Sequence, residues 1–99
     1  MAFNFPGPPG GGNFPPPPQF APPIGQQPLR GQGRRRGFGG SFRPCLFRNT
    51  FVWLRNGNSF WFYPISIQPG GVVGYRWTGN RWRFYGLDTR RVADFDCFF

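Results

Sequence analysis

Cys45 and Cys97 are the two thiols of a 99-residue chain, and they stand at the ends of its aromatic half. Two chemistries are open to them. As free thiols they are small buried hydrophobes of a cytosolic protein; as a disulfide they tie a first strand to a last one, worth about 4 kcal/mol by loop-closure entropy. They lie too far apart for a redox CxxC pair, and without histidine the common zinc patterns are excluded. Acids are limited to Asp88, Asp94 and Asp96. A cysteine nucleophile or an acid/base pair has no imidazole to draw on, so no catalytic residue, metal ligand, cofactor or small-molecule substrate is expected. Asp94 and Asp96 flank Phe95 and are expected to pair with Arg90 or Arg91, or to blunt an edge strand.

The other chemistry-bearing residues are arginines. Twelve arginines against three aspartates give a net charge of +9, and no lysine is present. Affinity for polyanions follows from that charge. Two groups stand out. Residues 30–43 read RGQGRRRGFGGSFR and resemble the arginine-glycine segments of RNA-binding proteins, with Arg34, Arg35 and Arg36 at their centre. A solvated basic linker explains the same stretch. Arg76, Arg81 and Arg83 form the second group, on one face of an expected hairpin, where like charges directly opposed must either splay into water or share an anion.

The elements that must position these residues fall in the second part of the chain. Residues 1–42 hold 10 of the 13 prolines and 10 of the 16 glycines, whereas 43–99 hold every Trp, every Tyr and both Cys. The chain is therefore divided into a disordered arm, 1–42, and a small aromatic β domain, 43–99. In the arm, Phe3, Phe5, Phe14 and Phe20 punctuate Pro/Gly clusters around Pro15 to Pro18; they can act as weak adhesive points or be incidental to a spacer. Prolines interrupt the stretch before Arg30, the first cationic side chain, so no secretory signal peptide is expected; cytoplasmic synthesis is expected, with deposition on a spore or envelope layer open and the final location not fixed by sequence. The longest apolar runs are four residues, against the roughly 20 that a spanning helix needs, so no transmembrane segment is expected.

Within the domain, Thr50 to Leu54 and Ser59 to Tyr63 flank Asn56-Gly57, which predicts a type I′ hairpin. That register sets Trp53 against Phe60 and Phe51 against Phe62 on one side, and Val52 against Trp61 on the other. Both sides are apolar, so Val52, Trp61 and Tyr63 are expected to offer a surface that another protein or another copy covers. A second hairpin, Val72 to Trp77 with Arg81 to Tyr85, turns at Gly79-Asn80 in the II′ manner. It sets Trp77 against Trp82 and Tyr75 against Phe84, packed inward, and Arg76 against Arg83. Ile65 to Gln68 alternates as a half-buried strand. Asp88 can cap one helical turn from Thr89 to Ala93. The predicted strands are 45–54, 59–68, 72–77, 81–85 and 95–98: an all-β, five-stranded antiparallel SH3-like barrel, with a twisted meander as the alternative.

The segments FRPCLFRNTFVWL, FWFYPISI, VVGYRWTGNRWRFYGLD and FDCF, from residue 42 to 98, resemble a group of small proteins of spore-forming Gram-positive bacteria. These join a Phe/Pro/Gly-rich arm to one aromatic β domain. Some are called transporters, an activity to which a chain without a spanning segment does not correspond. The resemblance implies a spore-coat or envelope-associated structural protein.

Three functions are thus in view. The first is a non-enzymatic structural or interaction protein that associates with itself or with other layer proteins through aromatic surfaces. The second is a nucleic-acid binder using the Arg/Gly segment and the basic aromatic face. The third, ranked last because acids are scarce, is a reader of proline-rich peptides, for which Pro15 to Pro18 is a ligand already in the chain.

Overall fold

The computed structural model describes residues 15–22, 35–36 and 41–98. Six strands form one antiparallel sheet: β1 (Arg35–Arg36), β2 (Thr50–Leu54), β3 (Ser59–Gln68), β4 (Gly71–Trp77), β5 (Trp82–Asp88) and β6 (Val92–Cys97). Their spatial order is β1-β6-β2-β3-β4-β5. The domain is all-β and its five strands run as anticipated, with its first strand beside its last, but the sheet stays open with β5 at one edge. A single-turn 3-10 segment, Thr89–Arg91, joins β5 to β6, and the Asp88 carboxylate accepts from the Arg90 N–H at 3.0 Å as its cap.

Three pieces of the segment read as a disordered arm have defined places: residues 15–22, 35–36 and 41–42. Arg35 and Arg36 pair with Cys97 and Asp96, which makes β6 an interior strand. Asp96 is therefore an interior strand residue and does not blunt an edge; Asp94 is also buried but lies beyond the two residues that β1 covers. Phe42, placed in the arm by composition, is 2% exposed and belongs to the core. Cys45 sits in a 3-10 turn, Arg43–Cys45, and the first domain strand begins only at Thr50. Phe47, at φ +62°, interrupts the extended backbone ahead of Thr50 and so shortens the strand.

The first hairpin is slipped by one residue from the predicted register. Phe51 faces Trp61, Val52 faces Phe60 and Trp53 faces Ser59. The loop holds three residues rather than two, since the Leu54 N–H donates to the Asn58 carbonyl and the Gly57 N–H to the Leu54 carbonyl. Only Gly57, at φ +94°, needs the left-handed region, and Asn56 Oδ1 accepts from the Asn58 N–H. A three-residue loop with a left-handed glycine is the next commonest hairpin closure after the two-residue one. One residue of slip exchanges the faces of β3. Val52, Phe60 and Phe62 consequently share the main core, and Trp61 joins Phe51 on the opposite face.

The second hairpin keeps its predicted register, with Tyr75 on Phe84, Arg76 on Arg83 and Trp77 on Trp82. Its loop is two residues long with Gly79 at positive φ. A bulge at Pro64–Ser66 lets β3 carry a proline inside the sheet. Across from it, Gly74 cannot bear a side chain: a Cβ there would collide with the Tyr63 carbonyl oxygen and lie 2.8 Å from the Pro64 Cα. The bulge turns Ile67 onto Val72 and so onto the main core.

The sheet therefore has two aromatic faces. One curls around the main core of Phe42, Val52, Phe60, Phe62, Leu87 and Phe95, closed by the Cys45–Cys97 disulfide. The other carries Tyr63, Ile65, Val73, Tyr75, Trp82 and Phe84 as a second cluster.

Candidate functional site

The cysteines are joined, with Cα atoms 5.5 Å apart and 52 residues between them in sequence, so neither is a free thiol. The bond links the 3-10 turn to β6 rather than strand to strand. Both sulfurs are buried in the main core, which makes the bond structural.

The surface expected at Val52, Trp61 and Tyr63 does not exist as one patch. Val52 is fully buried in the core and Trp61 is 6% exposed, held by edge contacts with Phe51 and Phe98. Only Tyr63 is partly accessible, and it belongs to a different arrangement. The hairpin's second face is covered by its own chain, because the register slip moves Trp61 beside Phe51 and Phe98, the residue after β6, packs on Trp61. Among the described residues the large exposed apolar side chains are Phe20 and Phe47.

The more informative site lies on the second cluster. Tyr63, Tyr75, Trp77, Trp82 and Phe84 form a row of rings with centroid spacings of 6.1 Å for Tyr63–Trp82, 5.2 Å for Trp77–Trp82 and 5.9 Å for Tyr75–Phe84. Strand alternation puts all five on one face. These pairs were expected to pack inward. They do pack together as the second cluster, and residues 15–22 meet it at two points: the Tyr75 hydroxyl donates to the Pro15 carbonyl at 2.8 Å, and the Trp82 indole Nε1–H donates to the Phe20 carbonyl at 2.9 Å. Pro22 is buried and Pro18 half-buried. Burial holds the Tyr75 phenol above its ordinary pKa, so the hydroxyl remains a donor across the neutral range. Neither Tyr75 nor Trp82 was singled out as a donor from sequence. The available signal was a strand-borne Tyr and Trp, each with a polar tip, in a chain that also holds a proline run.

The arginines divide. Arg34 lies outside the described residues, and Arg35 and Arg36 form β1. Arg76 and Arg83 are directly opposed on neighbouring strands, on the main-core face at its open end. Arg76 stacks rather than splays: its guanidinium lies 4.2 Å from the Phe60 ring centroid and 5.1 Å from that of Tyr85. The ring faces carry negative potential and offset the repulsion from Arg83. Arg81 and Arg83 are exposed. Phe60, Trp77, Arg76, Arg83 and Tyr85 line an open cavity of about 650 Å³ with no acid in its wall.

Elsewhere, Arg90 pairs with Asp88 at 2.9 Å. That hydrogen-bonded guanidinium lowers the Asp88 pKa and raises that of Arg90. Among the described residues there is no cluster of three metal-ligating side chains, and no helix is long and apolar enough to cross a membrane.

The chain matches no protein-family model, no curated protein and no solved structure.

Proposed function

We propose that this is a non-enzymatic structural or interaction protein, a self-associating component of a proteinaceous layer of the spore-coat or envelope kind. The observation that carries the proposal is the docking of residues 15–22 on the aromatic row through Tyr75 and Trp82. A module that binds a proline-rich stretch, and carries such a stretch, has both halves of an adhesive contact. The disulfide supports the same role, since closing a 52-residue separation stabilises a small core by about 4 kcal/mol in an oxidising layer. The resemblance to arm-plus-domain proteins of spore-forming bacteria agrees with it.

Sedimentation velocity over a concentration series tests the proposal. Association should grow with concentration and persist at high salt, because apolar and hydrogen-bonded contacts are little screened. A single sharp monomer boundary at every concentration would remove it.

Nucleic-acid binding is the second function a specific observation favours: two arginines and six aromatic side chains line one cavity, with no acid among its described lining residues. Guanidinium and ring faces of this kind suit the phosphates and bases of a single strand. Binding of single-stranded RNA or DNA should weaken steeply with salt, and the log–log slope should fall by roughly 0.7 for each phosphate-contacting arginine made neutral. No binding at physiological salt would exclude it.

A further inference from the structure

We propose that the row formed by Tyr63, Tyr75, Trp77, Trp82 and Phe84 is a receptor for a proline-rich segment, and that residues 15–22 of a second copy occupy it when copies are crowded. Exchanged arms then link protomers. This rests on the self-associating role above and names the contact responsible.

The chemistry of the contact is specific. Five of the eight residues in 15–22 are proline, so five backbone positions lack an N–H while keeping a carbonyl. Such a segment has surplus acceptors and cannot join a sheet edge by a regular ladder. It is matched by side-chain donors on an aromatic surface, and here Tyr75 and Trp82 supply them at 2.8 and 2.9 Å. The Trp77 indole N–H on the same face is buried and meets no acceptor among the described residues. Proline also fixes φ in advance, so little entropy is lost when the segment docks.

The partner follows from the tether. Residues 23–34 are 12 residues and can span at most about 40 Å, at roughly 3.5 Å each. That exceeds the longest dimension of the protein, 36 Å. The arm therefore reaches its own row or a neighbour's. Every copy has the same arm and the same row, so exchange replaces each contact by an identical one, and only tether entropy and concentration decide the outcome. A tether of 12 residues holds its ligand at an effective concentration on the order of millimolar. Below that range each arm should occupy its own row; in a packed layer, above it, arms should cross.

The test uses full-length chains. Isotope-labelled and unlabelled protein are mixed in equal amounts, below and above the millimolar range, and intermolecular NOEs are sought between the Tyr75 and Trp82 rings of one copy and Pro15 to Pro22 of the other. They should appear only at the higher concentrations, together with faster sedimentation. Two variants sharpen this: an arm variant with Pro15, Pro16, Pro17 and Pro18 all replaced by Ser, and a groove variant carrying Tyr75→Phe and Trp82→Phe, which keeps the rings. Each alone should remain monomeric, and their mixture should stop at a 1:1 heterodimer. If the groove variant fails to fold, the capped peptide of residues 15–22 added to the arm variant must shift the Trp82 indole signal saturably. No such shift, or self-association that persists unchanged in both variants, overturns arm exchange; in the latter case the broader self-association proposal stands. Wild-type protein that stays monomeric at all concentrations overturns both.

Discussion

Phe42 stacks on Phe95 with ring centroids 3.7 Å apart and planes 9° from parallel. A residue outside every strand of the domain is thus one wall of its core, and it also meets Phe62 edge-on at 6.3 Å. Phe42→Ala should cost about 3–5 kcal/mol by losing the ring and leaving a cavity. Denaturant midpoints measure this directly. Phe47→Ala, removing a ring that is 55% exposed, should shift stability by less than about 0.5 kcal/mol. Equal effects would mean that Phe42 is not a core residue in solution.

The disulfide makes a second prediction. Stability of small domains lies in the range of about 5–15 kcal/mol, so losing roughly 4 kcal/mol with the Cys45–Cys97 bond removes a large share. The reduced protein should unfold at a clearly lower denaturant concentration than the oxidised one, followed by near-UV circular dichroism of the aromatic core. Coincident curves in the two redox states would show that the bond adds nothing to the native state's advantage.

Much of this fold can be read in the residues. Alternating apolar runs bounded by Asn56-Gly57, Pro69-Gly70 and Gly79-Asn80 mark four of the strands and their order, because turn chemistry and side-chain period are local properties. The register of the first hairpin is not legible in the same way: Asn-Gly suits both a two-residue loop and a three-residue loop, and one residue decides which face Trp61 occupies. The domain boundary is missed because Phe42 is a core residue embedded in Gly- and Arg-rich surroundings. The aromatic row is visible as cross-strand pairs, but what covers it is not. Tyr75 and Trp82 meet residues 60 and 62 positions away, and nothing local in sequence encodes contacts of that separation.

Tyr75 gives the row a pH limit. Burial raises its pKa above the ordinary 10.0, so the folded state holds the phenolic proton more tightly than the unfolded chain. The resulting stabilisation is full below about pH 10 and is lost as pH rises through the raised folded value. Arm docking should fail in the same window, since a phenolate cannot donate to the Pro15 carbonyl. Tyr75→Phe should lower stability near neutrality by about 0.5–1.5 kcal/mol for the lost hydrogen bond, and should flatten the alkaline decline. The Trp82 indole signal, followed from neutral to strongly alkaline pH, reports docking. An equally steep alkaline loss in the Tyr75→Phe protein would assign it to another group.

The opposed arginines allow a test by sign. Arg83 is exposed and faces Arg76 directly, and like charges opposite one another on neighbouring strands are unfavourable. Arg83→Gln should therefore stabilise the domain by a few tenths of a kcal/mol at low ionic strength, an advantage that shrinks as salt screens the pair. Arg76→Gln removes the same repulsion but also lifts the guanidinium from the Phe60 and Tyr85 rings, contacts worth about 0.5–1 kcal/mol at a partly exposed site. It should be neutral or destabilising, and its effect should depend less on salt. Thermal or denaturant midpoints of the two variants at low and high salt decide the matter: if Arg76→Gln is the more stabilising of the two, the rings contribute nothing to holding the cation, and its position over them is a matter of packing alone.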